Sequence, residues 1–152
     1  MKQLFSLLLL LTTAVFSAEA QKFEYKIITS VESIVPMGLG RSRIISVNDN
    51  RNYKDFTVVR SDSDEDERNK SDRSDIRVKG YDETKLLNFY NIGGIRFQNI
   101  AANDAVITSK INAMIEDGWD LAFVNTGVES DAGKQDGEGI FITRYIFKRL
   151  KK

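Results

Sequence analysis

Residues 103–121, NDAVITSKINAMIEDGWDL, with the closing run Tyr145-Ile146-Phe147-Lys148-Arg149, decide the fold. Apolar residues fall at Ile107, Ile111, Met114 and Ile115, the i, i+4, i+7, i+8 spacing of a helix with one buried stripe. This predicts a helix over about 103–117. Asn103 is placed to cap it, Asp104 suits the positive end of its dipole, and Gly118 suits the left-handed stop beyond its end. Trp119 then offers a large face to anchor the helix end, and Leu121 and Phe123 are expected to lead on into the core.

Working outward, Leu121 to Val128 and Ile140 to Phe147 read as two strands. The polar, glycine-bearing stretch Glu129 to Gly139 between them reads as a hairpin loop. Near the other end, Phe23, Tyr25, Ile27 and Val31 alternate with Lys22, Glu24, Lys26 and Ser30, the pattern of a half-buried strand. Pro36, Gly38 and Gly40 mark a turn, and Arg43 to Val47 a second strand. Asn48-Asp49-Asn50 supplies turn chemistry before a third expected strand, Tyr53 to Arg60. Residues 61–75 carry no apolar side chain and predict a mobile loop, because nothing there offsets the entropy of ordering. Ile76 to Tyr81 should rejoin the sheet weakly. Lys85 to Tyr90 can be strand or helix, and Phe89, Tyr90 and the nearby Gly93-Gly94 favour strand. The expected domain, residues 21–152, is α+β: an antiparallel sheet of about five to six strands with one main helix on one face.

Four short motifs, Glu24-Tyr25-Lys26-Ile27, Ile111-Asn112, Gly118-Trp119-Asp120-Leu121 and Phe147-Lys148-Arg149, resemble a small bacterial domain family of unknown function. That family opens on a Glu-Tyr-Lys-Val-like strand and closes with Gly-Trp-Glu-Leu and Phe-Lys-Arg. The resemblance covers about a quarter of the chain. Asp120 stands where the family has Glu, and a long insertion, about Ser30 to Ala102, separates the first strand from the helix. The resemblance implies a β-α-β-β nucleus with antiparallel pairing, in an enlarged and exported relative, and implies no activity.

Export is read from the first twenty residues. Lys2 precedes an apolar run from Leu4 to Phe16, and Ala18-Glu19-Ala20 is the small-x-small pattern of a cleavage site before Gln21. The run is shorter than the ~20 apolar residues that span a bilayer, so no membrane segment is expected after cleavage. The protein is expected to be periplasmic or secreted. The 22 basic and 22 acidic residues balance, which argues against nucleic acid as a partner. The chain has no His and no Cys, so it can build neither a Ser-His-Asp triad nor a zinc site of the usual ligands.

Candidate sites follow from what remains. In Gly38-Leu39-Gly40-Arg41-Ser42-Arg43, backbone amides with Arg41 and Arg43 can receive an anion, although a turn with two solvated arginines explains the same residues. The sequence from Asp62 to Asp66 opens like a calcium loop but has Glu67 and Arg73 where the template needs Gly and Glu, so no metal is expected. Asp131, Asp136 and Glu138 pair carboxylates in a loop ill-suited to hold them rigid. The amide-rich stretch from Asn88 through Tyr90 to Asp104 is a second candidate surface, through Asn88 and Tyr90. No cofactor is expected. These residues favour a non-enzymatic exported module that binds an envelope or extracellular protein or an anionic ligand. The alternative is a hydrolase or small-ligand enzyme built on Asp and Glu. The leader reading predicts that intact-mass measurement of the exported protein finds Gln21 first, and that Ala20→Arg leaves the precursor uncleaved.

Overall fold

The structure, a computed structural model, describes residues 21–33, 42–58, 71–91, 93–129 and 139–151. The expected leader, the turn around Pro36, most of the polar loop and the centre of the Gly-rich loop lie outside these residues. In chain order the elements are β1 (Phe23–Ser33), β2 (Arg43–Ser46), a 3-10 turn (Tyr53–Phe56), α1 (Arg73–Ile76), β3 (Asp82–Lys85), β4 (Tyr90–Asn91), β5 (Gly94–Ile95), α2 (Phe97–Glu116), β6 (Asp120–Glu129) and β7 (Ile140–Leu150). Five strands form one antiparallel sheet in the order β3-β2-β1-β7-β6, and β4-β5 make a separate small hairpin. The expected α+β class, a five-stranded antiparallel sheet with one main helix, is therefore observed.

The helix stop is built as its residues dictate. Gly118 takes φ +81, a conformation that a Cβ would resist. The Trp119 amide donates to the Met114 carbonyl and the Gly118 amide to that of Ile115, the paired bonds of a Schellman motif. Met114 and Trp119, brought side by side by that motif, are both buried. They join Ile28, Ile44, Leu86 and Phe147 in the core, with Val106, Ile107, Ile111 and Tyr145 packed around them.

The helix start is different from the expected one. α2 begins at Phe97, so Asn103 sits inside the helix, almost wholly buried, and Asp104 lies well past the first turn. The difference has a physical cause. The stripe facing the sheet is polar in its first half, where Asn99 and Asn103 stand at helical spacing ahead of Ile107, and a polar stripe imitates a cap. Asn103 instead clamps a neighbouring segment. Its Oδ1 accepts from the Leu87 amide at 2.7 Å, and its Nδ2 donates to the Leu87 carbonyl at 2.7 Å and to Glu32 Oε1 at 3.0 Å.

That clamp explains residues 86–89, which are neither the expected strand nor a helix. β3 ends at Lys85. Beyond it the Leu86 amide donates to the Ser42 carbonyl and the Phe89 carbonyl accepts from the Arg96 amide, while side chains fix the backbone between: Asn103 holds Leu87, and Asn99 Nδ2 donates to the Asn88 carbonyl at 2.7 Å. Ser42 Oγ accepts from the Ser33 amide and donates to Asn88 Oδ1 at 2.6 Å.

Other expectations also change. Tyr53–Phe56 is a 3-10 turn rather than a strand, because Asn52 Oδ1 accepts from the Lys54 amide and starts a local turn. Ile76 ends a single helical turn, in which the Asp72 amide donates to Asp75, so this end of the polar stretch is ordered and 76–81 is not a strand. Replacing Asn103 by Ala strips the Leu87 amide and carbonyl of their partner. The expected cost is about 1–3 kcal/mol, read as a lowered midpoint in urea unfolding.

Candidate functional site

The two faces of the sheet are unequal, and not in the way the alternation of β1 suggests. Pairing sets Lys26 beside Phe147, Ile28 beside Tyr145 and Ser30 beside Thr143, and this face lies under α2. The odd-numbered residues of β1, the apolar ones, therefore point away from the helix. Phe23 is 39%, Tyr25 60% and Ile27 49% exposed. The periodicity identifies the strand, yet a period of two cannot say which face is inside.

A bulge carries the same inversion into β6. The register slips between Leu121, opposite Phe147, and Phe123, opposite Ile146. The extra residue rotates the strand, and Phe123 leaves the expected core for the open face, where it is 63% exposed. One row of that face thus reads Ile27, Ile146, Phe123 across three adjacent strands. The row beside it reads Tyr25, Lys148, Asp120, with the Lys148 ammonium 5.2 Å from the Phe23 ring centroid, within cation–π range. On the other side, Ile45, Thr29, Arg144 and Asn125 form a third row. Arg144 is exposed and has no ion-pair partner among the described residues. The result is an apolar strip with cations on its middle strand.

Of the residues expected to bind, Arg41 lies outside the described residues. Arg43 stands on this open face but at its β2–β3 edge, where its Nη1 meets Glu83 Oε2 at 2.7 Å, so the guanidinium is engaged by a carboxylate of the chain itself. Asn88 belongs to the clamp under the helix, with both its side-chain and main-chain oxygens hydrogen-bonded. Tyr90 is exposed on the small β4-β5 hairpin, so the structure does not bring Arg43, Asn88 and Tyr90 into one site. Asp104 is exposed on α2, and Asp131, Asp136 and Glu138 lie outside the described residues. Among the described residues no cluster of three metal-ligating side chains occurs, and no helix is long and apolar enough to cross a membrane.

The short motifs at the two ends of the chain meet in space. Arg149 Nε donates to Glu24 Oε1, and the same guanidinium lies 4.2 Å from the Trp119 ring centroid. Glu24, Trp119 and Arg149 thus form a structural lock at the end of α2, stacked and ion-paired at once.

Arg43 also governs a titration. Its hydrogen bond is the largest cause holding the Glu83 carboxyl below the ordinary glutamate range; desolvation opposes it, and the Tyr81 hydroxyl adds a smaller lowering contribution. A depressed carboxylate stabilises the fold above its unfolded pKa, and that contribution is lost as pH falls through the folded value. Carbon-detected NMR titration should find Glu83 titrating lower than an unfolded glutamate, and Arg43→Ala should raise its midpoint. The small difference in melting temperature between the two proteins at neutral pH should vanish in acid. In comparisons with protein families, curated proteins and solved structures, none matches this chain.

Proposed function

We propose that the protein is an exported, non-enzymatic binding module that engages a protein partner through the open face of its sheet. The observation that carries this reading is the row Ile27, Ile146, Phe123, exposed at Ile27 and Phe123 and half-buried at Ile146, with exposed Tyr25 beside it. Three long strands spaced about 4.8 Å apart and rising about 3.4 Å per residue give an open face of roughly 500 Å², apolar along the Ile27, Ile146, Phe123 row and polar along the Thr29, Arg144, Asn125 row. Apolar side chains set together on an open sheet face and rimmed by polar ones often mark an interaction surface. Tyrosine and arginine, which flank the apolar row as Tyr25 and Arg144, are among the residue types that dominate binding energy.

The charges select the partner. Arg144 and Lys148 lie along β7, in the middle of the strip, so an apolar surface bearing carboxylates complements it. A second copy docked about a central two-fold would bring these cations together. Export is supported by the apolar leader and its cleavage pattern, and a non-catalytic role by a composition without His or Cys. The carboxylate-hydrolase reading has less support, since its described candidate, Asp104, is exposed on a helix surface.

Because the chain has no cysteine, one introduced thiol is unique. Gly127 lies on the open face with an ordinary φ, and nothing stands within 4 Å of the position a Cβ would take, so Gly127→Cys is accommodated. Labelled with a benzophenone maleimide, it should crosslink one partner of distinct mass in the exported fraction. Tyr53→Cys, exposed on the 3-10 turn and not on a strand, should not, and Arg144→Glu in the Gly127→Cys background should abolish the adduct. No adduct, equal adducts from both positions, or an adduct of twice the chain's own mass would each overturn this assignment.

A further inference from the structure

On the helix side of the sheet, beyond the apolar core, a cleft of about 240 Å³ is lined by Glu32, Phe89, Ile100, Thr126, Phe141 and Thr143. Its floor is a patch of three neighbouring strands, because the register sets Glu32 beside Phe141 and Thr143 beside Thr126. Phe89, from the clamped segment, and Ile100, from the first turns of α2, form its walls. The Phe89 and Phe141 rings stand 5.8 Å apart at 53°. The two threonine hydroxyl oxygens are 3.1 Å apart, within hydrogen-bond distance of each other.

Glu32 is the one charged group of this lining, and its position is fixed. Its Oε1 accepts from Asn103 Nδ2, and Asn103 is itself held by two bonds to the Leu87 backbone. No cation pairs with it among the described residues. A carboxylate beside two phenyl rings repels an anion and attracts a cation through both its charge and the ring quadrupoles. The N-terminus of α2 opposes this with about half a unit of positive charge, screened beyond its first turn, against a full negative charge in the lining itself. The volume falls below the ~300 Å³ at which clefts take drug-sized ligands, so it suits a head group rather than a large molecule.

We propose that this cleft binds the ammonium head group of a small organic cation. Glu32 supplies the countercharge, Phe89 and Phe141 the aromatic contact, and Thr126 and Thr143 hydroxyls that orient polar substituents. The site lies on the opposite side of the sheet from the protein-docking face, and neither assignment depends on the other.

Titration of the protein with choline chloride or with ethanolamine hydrochloride, followed by amide and methyl NMR, tests it. At least one should give saturable shifts centred on Glu32, Ile100, Thr126 and Thr143. The uncharged isostere of choline, 3,3-dimethylbutan-1-ol, should bind at least about tenfold more weakly, as expected when a partly desolvated charge pair is removed. Glu32→Gln retains an oxygen to accept from Asn103, so it should keep the wild-type melting temperature while losing at least about tenfold in affinity for the cation. Absence of saturable shifts at the cleft, equal binding of the alcohol, or unchanged affinity in Glu32→Gln at intact fold would overturn the assignment.

Discussion

The backbone ladder between Phe23–Ser33 and Ile140–Leu150 is the constraint on which the other features hang. Every residue of β1 has a partner on β7, in one unbroken antiparallel register. Because side chains alternate, that single register assigns both strands, residue by residue, to one face or the other. Phe147 goes under the helix and becomes fully buried, and Ile28 and Tyr145 follow it. Tyr25, Ile27 and Ile146 are thereby committed to the opposite side. β2 and β3 extend the sheet from one flank of this ladder, β6 extends it from the other, and α2 lies across the face that Phe147 has chosen.

Three kinds of contact hold the helix in place, each at its own position. At its C-terminal end, the Schellman turn delivers Trp119 into the core, and Arg149, paired with Glu24, lies over the indole. Along the middle, Ile107, Ile111 and Met114 pack on Ile28, Ile44 and Phe147. Toward the N-terminal half the contacts become polar, with Asn99 and Asn103 binding the backbone of 87–88 as a strand neighbour would. The apolar core is small. The amide clamp therefore sets geometry that packing alone would leave loose, and it holds open the cleft beside Glu32.

How much of this the sequence discloses depends on how local each cause is. The helix stop at Gly118, the anchoring role of Trp119 and the hairpin of β6 and β7 are legible because neighbouring residues produce them. The start of α2 is hidden by a buried stripe that is polar, and residues 86–89 by side-chain bonds from a helix that follows them in the chain. The face of β1 is hidden more deeply, since alternation is symmetric between inside and outside until a distant strand breaks the tie. Phe123 is lost to a single bulged residue. For the same reason the surface that sequence reasoning favours, around Arg43, Asn88 and Tyr90, is dispersed. The residues that do cluster, Tyr25, Ile27, Phe123 and Ile146, are by pattern alone candidates for the core or plain strand.

The β1–β7 ladder also orders events in time. α2, β6 and β7 follow one another directly in the chain and can meet with little loop closure, whereas Phe23 finds its partner only at Leu150. Long-range pairing of this kind slows folding, because the entropy of closing the intervening chain is lost before any contact is gained. During synthesis β1 leaves the ribosome long before β7, and it lacks its central neighbour until Ile140–Leu150 has emerged. Its apolar residues are unsheltered throughout that interval. A sheet whose middle seam joins Phe23–Ser33 to Ile140–Leu150 therefore closes late, after the local contacts of α2, β6 and β7 are available.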